Sequence, residues 1–321
     1  VDMRAPRRST VVLGVAGVLA STGTAVLGAR TLLSEQAAQA RTVIPKSWDV
    51  PPRADGVYAP GGGPVQRWER GVPYDLHLMI FGDSTATGYG CRDADEVPGV
   101  VIARGLAEES GKRIRLSTKA IVGATSKGLS GQVDAMFVAG PPPDAAVIMI
   151  GANDITALNG IGPSAHRLGS AVQRLRASGA VVVVGTCPDF GVITAIPQPL
   201  RYAARSRGLH LARVQAAAVR AAGGVPVPLA DLLAPNFEET PELMFSDDKY
   251  HPSAAGYALA ANQLLPALCH ALGEWTGATV PDLPWLTPSQ SWNVSARLAP
   301  ITRLLRRRTT GVPAPIVVTA G

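Results

Sequence analysis

Apolar residues along this chain come in short unbroken runs rather than in strict alternation. The runs at 76–81, 114–122, 145–150, 180–185 and 225–229 are rich in Val, Ile, Leu and Ala, as strands buried on both faces should be. Between them, 97–110, 128–139, 163–178 and 203–222 place apolar residues at helical spacing. A last helix is predicted over about 253–272, with Ser253 as its N-cap. This alternation predicts an α/β fold: a doubly wound, mostly parallel sheet of about five strands, flanked by helices and joined by right-handed crossovers.

The pattern fails at both ends. Residues 41–74 are Pro/Gly-rich, with Pro51-Pro52 and Gly61-Gly62-Gly63-Pro64, and read as a linker or a loop draped over the domain. Val11–Ala29 carries no charge and follows Arg4, Arg7 and Arg8. At about 1.5 Å per residue it is just long enough to span a hydrocarbon core. It predicts a membrane anchor or a signal peptide, with Ala38-Gln39-Ala40 as the cleavage site, and a catalytic body outside the cytoplasm. Beyond Glu274 lie Pro281, Pro284 and Pro288, then Leu298, Ile301, Leu304 and Leu305 among Arg303, Arg306, Arg307 and Arg308. That stretch reads either as a solvated tail or as a basic segment on a membrane surface. The expected organisation is therefore 1–40 leader or anchor, 41–74 linker, 75–272 catalytic domain and 273–321 tail.

Composition refines this only slightly. The net charge of +6 gathers at the two ends, which favours anionic lipid or a cell envelope, and no nucleic-acid motif appears. The three cysteines, Cys91, Cys187 and Cys269, fit no zinc or redox spacing. One disulfide and one free thiol could form outside the cell, and the sequence does not choose the pair. No metal or cofactor is implied.

The chemistry begins where Leu76-His77-Leu78-Met79-Ile80 feeds into Phe81-Gly82-Asp83-Ser84-Thr85. A strand ending there puts the Ser84 hydroxyl at the carboxyl edge of the sheet, where open α/β folds bind ligands. A serine nucleophile needs a base and oxyanion donors. Of the five histidines only His251 lies in a loop beside an acid, three residues after Asp248. Asp248 can hold the imidazole in one tautomer, and the unperturbed histidine pKa of about 6.5 suits a base. Ser84 can offer its own amide to the oxyanion. Gly123 ends the second strand with a bare backbone, and Asn153 ends the third with a side-chain amide.

As a set, these residues resemble the SGNH hydrolases, also called GDSL esterases and lipases. The family's blocks occur in order as Gly82-Asp83-Ser84, Gly123, Gly151-Ala152-Asn153-Asp154 and Asp248-Lys249-Tyr250-His251-Pro252. The resemblance covers about 75–272 and implies the flavodoxin-like sheet of that architecture. It implies Ser84 as nucleophile, His251 as base, Asp248 as orienter, and an oxyanion hole of the Ser84 amide, Gly123 and Asn153. Thr85 stands where the name-giving motif has leucine, and Ser117 to Val122 lacks the asparagine often found before the block-two glycine. Competing motifs fail: Ala86 replaces the last glycine of an α/β-hydrolase elbow. Leu129 stands where a phosphate-binding loop beginning at Gly123 needs lysine. The expectation is an exported serine esterase or lipase acting on a small acyl ester, a lipid or an acylated glycan. The alternatives are an acyltransferase or deacetylase of envelope lipids or glycans, and a non-catalytic envelope protein that binds them.

Overall fold

The computed structural model describes residues 31–39 and 50–274. A helix, α1, covers 31–39. The strands are β1 (Gly56–Tyr58), β2 (Leu76–Gly82), β3 (Ile114–Thr118), β4 (Ala145–Met149), β5 (Val181–Gly185) and β6 (Val225–Val227). The other helices are α2 (Ser84–Thr87), α3 (Pro98–Ser110), α4 (Leu129–Ala139), α5 (Ala152–Thr156), α6 (Ile161–Ala177), α7 (Leu200–Ala221), α8 (Leu229–Glu239), α9 (Pro241–Met244) and α10 (Ala254–Leu272).

One sheet runs in the order β1-β3-β2-β4-β5-β6. Every pairing from β3 to β6 is parallel, and β1 alone is antiparallel. From β2 the chain goes to one side for β3 and then to the other for β4, so β2 marks the switch point where such sheets open a crevice. Both faces are covered, which is why the strands read as continuous apolar runs. Leu78, Ile80, Val147 and Val183 face a core with α3, α8 and α10. Met79, Phe81, Ile148 and Val184 face one with α4, α6 and Val219 of α7. Ser253 caps α10 as expected, its hydroxyl accepting from the Gly256 amide at 3.2 Å.

The structure sharpens the sequence reading at several places. Of the two readings of the Pro/Gly-rich stretch, the residues from 50 onward follow the draped loop, packing on the domain and supplying the antiparallel edge strand β1. Tyr58 is 2% exposed, and the Trp68 ring lies 3.5 Å from the Arg115 guanidinium. The run 114–122 is a strand only to Thr118, and its end turns outward, leaving Ile121 and Val122 exposed. Between β6 and the Asp248–His251 loop stand two unforeseen helices, α8 and α9. Cys91, Cys187 and Cys269 are all free thiols, so no disulfide forms among the described residues. Val11–Ala29 and the tail beyond Glu274 lie outside the described residues, among which no helix is long and apolar enough to cross a membrane.

Candidate active site

The site is built on the end of β2. Gly82 has φ of 135°, and a Cβ there would lie 1.9 Å from the Met149 carbonyl oxygen of β4. Only glycine lets the two strands approach so closely. The Gln132 side chain, from α4, takes the place of a missing strand neighbour. Its oxygen accepts from the Gly82 amide at 2.8 Å, and its nitrogen donates to the Gly82 carbonyl at 2.8 Å. The Asp83 amide then donates to Met149 O at 3.1 Å, and Asp83 Oδ1 caps α2 by accepting from the Thr85 amide at 3.0 Å. Ser84 opens that helix and is 7% exposed. Its carbonyl accepts from Thr87 Oγ1 at 2.9 Å and from the Tyr89 amide at 3.0 Å, which fixes the serine backbone. Burial raises the Asp83 pKa to about 6, although the Thr85 and Gly151 amides and His251 pull it down.

His251 is held by a short closed loop. Phe245 and Pro252 bridge its ends, and Lys249 adopts φ of 54° at its tip. Asp248 is the hub: Oδ1 accepts from Ser246 Oγ at 2.8 Å, from the Tyr250 amide at 2.9 Å and from the His251 amide at 2.8 Å. Its Oδ2 meets His251 Nδ1 at 2.6 Å. Burial alone would raise the Asp248 pKa, but the hydrogen bonds from the His251 ring and the Tyr250 and His251 amides outweigh it and hold the carboxyl well below the usual range. An ionised acceptor at Nδ1 puts the ring hydrogen there and leaves Nε2 with a lone pair. Tyr89 lies against the same ring, with centroids 4.6 Å apart, and is itself fixed by Tyr257, whose hydroxyl donates to Tyr89 O at 2.8 Å.

Asn153 lies in α5, just past β4, and its side-chain nitrogen donates to Ala124 O at 3.0 Å. That bond uses one of its two N–H groups and leaves the other available. It also fastens the Gly123 turn, where φ is 78° and no atom lies within 4 Å of a would-be Cβ. Buried Asp154 holds the next stretch of the loop by accepting from the Ser126 amide and hydroxyl, each at 2.8 Å.

Ser84, Asn153 and His251 line one cavity of about 890 Å³, counting its solvent-open mouth. Asp248 joins them through His251. Gly123 does not line that cavity; its exposed turn stands beside it, tethered by Asn153. Away from these polar groups the walls are apolar, with Phe190, Ile193, Leu229, Leu233 and Phe237 among them. Three of those five come from the unforeseen α8. Sequence reasoning also missed Gln132 and Gln215. Gln215 accepts from the Cys187 amide at 2.8 Å and donates to Ile150 O at 3.0 Å, tying the ends of β4 and β5. The available signal was a glutamine on the apolar stripe of its helix, Gln132 between Leu129 and Met136 and Gln215 between Leu211 and Val219. Among the described residues no group of three or more His, Cys, Asp or Glu could hold a metal ion.

Residues 80–259 match the GDSL-like lipase/acylhydrolase family. The chain is 75% identical to a GDSL-like esterase of Mycobacterium tuberculosis over 279 residues, which is 87% of this chain and 89% of that protein. It is also similar to a lipase/acylhydrolase from Enterococcus faecalis, at 19% identity and a TM-score of 0.49, over 68% of this chain and 100% of that one. For a psychrotrophic esterase from Pseudoalteromonas sp. the values are 18% and 0.49, over 62% of this chain and 100% of that one.

Proposed function

The chain belongs to the GDSL-like lipase/acylhydrolase family and is a carboxylic ester hydrolase, and from that premise we propose that Ser84, His251 and Asp248 carry the reaction. The observation behind this reading is the 2.6 Å contact between Asp248 Oδ2 and His251 Nδ1, on a histidine that lines the same cavity as Ser84. His251 Nε2 takes the Ser84 proton as Oγ attacks the acyl carbon, and Asp248 stabilises the imidazolium that results. The oxyanion forms against the Ser84 amide, the second Asn153 N–H and the Gly123 amide, donors fixed before substrate arrives. His251 then protonates the departing alcohol. A water molecule, deprotonated in turn by His251, releases the acid from the acyl-serine.

The apolar walls suit an aliphatic acyl chain better than a sugar, whose hydroxyls would find few partners there. The uncharged Val11–Ala29 behind Arg4, Arg7 and Arg8 supports a catalytic body held on the outer side of a membrane. N-terminal sequencing of the mature protein distinguishes an anchor from a cleaved leader.

Purified protein is expected to hydrolyse nitrophenyl esters and to be labelled by a fluorophosphonate. Ser84→Ala is expected to abolish labelling and to lower turnover by about 10⁴-fold or more. Labelling and turnover unchanged by that substitution would overturn the assignment. The same assay over a series of acyl lengths measures how far the apolar cavity accepts a chain.

A further inference from the structure

The loops at the carboxyl edge of the sheet divide by charge. Those after β3 and β4, with the first turn of α7, carry Lys119, Lys127 and Arg201, while their acid, Asp154, is buried and hydrogen-bonded. The loop after α2 and the stretch from the end of α8 to His251 carry the exposed acids Asp93, Asp95, Glu238, Glu239, Glu242 and Asp247 against two exposed bases, Arg92 and Lys249, and so are net acidic. On the basic side four large apolar side chains stand in solvent, Ile121 at 59%, Val122 at 40%, Leu158 at 76% and Tyr202 at 72% exposure, against one, Leu243, on the acidic side. Hydrogen bonds join their segments into one patch. Asn153 ties the Ile121–Val122 turn to α5, and Arg207 of α7 donates to the Asn159 carbonyl at 2.5 Å, next to Leu158. Leu158 has φ of 54°, a backbone costly for leucine, with no burial to offset it.

A separate observation indicates what covers this patch. α1 lies against the start of α7: Gln36 Nε2 donates to the Gln198 carbonyl, and the Leu200 amide donates to Gln36 Oε1 at 3.0 Å. Ala29, the last residue of the uncharged stretch, precedes Gln36 by seven residues, which reach at most about 25 Å even when fully extended. A membrane that holds Val11–Ala29 therefore lies within that distance of Gln36, which sits at the start of α7 where Arg201 and Tyr202 stand.

We infer that the basic, apolar half of the rim docks on an anionic lipid surface, so that the Ser84 cavity opens toward the bilayer and takes acyl esters from the lipid phase. This rests on the esterase reading and on Val11–Ala29 as a membrane segment. Ile121, Val122, Leu158 and Tyr202 enter the headgroup boundary. Lys119, Lys127 and Arg201 meet lipid phosphates, and the acidic half of the rim tilts away.

The test uses the full chain in phosphatidylcholine vesicles with and without phosphatidylglycerol. An environment-sensitive fluorophore is attached through Leu158→Cys or Tyr202→Cys on the patch, or through Lys112→Cys at the amino edge of the sheet, and spin-labelled lipids serve as quencher. Quenching at 158 and 202, several times stronger than at 112 and increased by phosphatidylglycerol, is expected. In parallel, Leu158→Asp combined with Tyr202→Asp is expected to keep turnover of a soluble nitrophenyl ester within about twofold. Hydrolysis of a vesicle-borne ester should fall about tenfold, because the inserting residues are lost. Equal quenching at all three positions, or vesicle hydrolysis unchanged in the double variant, overturns the inference. Absence of soluble-ester turnover in the native chain would instead overturn the esterase reading.

Discussion

Gly82→Ala is expected to cost far more stability than a glycine substitution ordinarily does, and the structure separates the reasons. An L side chain at φ of 135° costs about 1–3 kcal/mol in backbone strain. The new Cβ would lie 1.9 Å from Met149 O, where a carbon and an oxygen ordinarily approach no closer than about 3.3 Å. The ends of β2 and β4 must then part, and the Asp83 N–H to Met149 O bond is lost or stretched, at about 1–3 kcal/mol for a buried donor left unmade. Together the two effects come to about 2–6 kcal/mol, a large share of a typical domain stability of about 5–15 kcal/mol. Gly111→Ala is the control, since it also has positive φ (69°) but no atom within 4 Å of a would-be Cβ. Urea unfolding of the two variants beside the native protein measures both costs. Ester turnover by the folded Gly82→Ala protein should also fall, because Ser84 is two residues from the displaced strand end. Equal losses of stability in the two variants would refute the claim that close approach of β2 and β4 makes Gly82 necessary.

Asp248→Asn is expected to lower kcat about 10⁴-fold, because an amide nitrogen facing His251 Nδ1 favours the wrong tautomer; turnover within tenfold of native would argue that Asp248 is not the orienter. Two buried groups should bend the stability–pH curve in opposite directions. Burial and the Arg115 charge lower the His77 pKa to about 4, so its contribution is complete above about pH 6.5 and is lost as the pH falls toward 4. Burial raises the Asp83 pKa to about 6 from 3.8, so its contribution is present below about pH 4 and is lost as the pH rises toward 6. Each amounts to about 3 kcal/mol, and in the native protein they largely cancel between about pH 4 and 6. Denaturant midpoints should therefore fall with rising pH in His77→Phe and rise with it in Asp83→Asn; parallel curves for both variants and the native protein would refute this.

The parts of the molecule legible in its sequence are those where local pattern and tertiary role coincide. Val181–Gly185 reads as a buried strand because both of its faces are covered. Ser84 and Asn153 were legible because each follows such a strand directly, and His251 because it precedes the capped start of α10. β1 was not, since three residues of antiparallel edge among prolines and glycines carry no periodicity. Pro228, Pro235 and Pro241 punctuate the α8–α9 region and hide its helical spacing, yet Leu229, Leu233 and Phe237 wall the cavity. Ile121 and Val122 misled for the opposite reason: they are apolar but turned to solvent, so they lengthened the apparent strand by residues the core does not use.

Gln132 and Gln215 show why the site needs more than its motifs. Where β2, β4 and β5 end, the Gly82 amide, the Ile150 carbonyl and the Cys187 amide pass beyond the regular ladder and would be buried without these partners, at about 1–3 kcal/mol each, whereas the Gly82 carbonyl also accepts from the Ile121 amide at 3.1 Å. Gln132 satisfies both polar groups of Gly82, and Gln215 joins Ile150 to Cys187 across neighbouring strand ends. Their amides thus let the sheet stop abruptly at the crevice without leaving its edge frayed. That rigidity bears on catalysis, because oxyanion donors assist only if they are already in place when charge develops. The Ser84 amide and the Asn153 side chain, the proposed donors, both hang from strand ends secured in this way. Replacing either glutamine with methionine, close in shape but unable to hydrogen-bond through an amide, should therefore lower kcat more than it raises KM. An increase in KM alone would mean that the strand ends position substrate rather than the oxyanion donors.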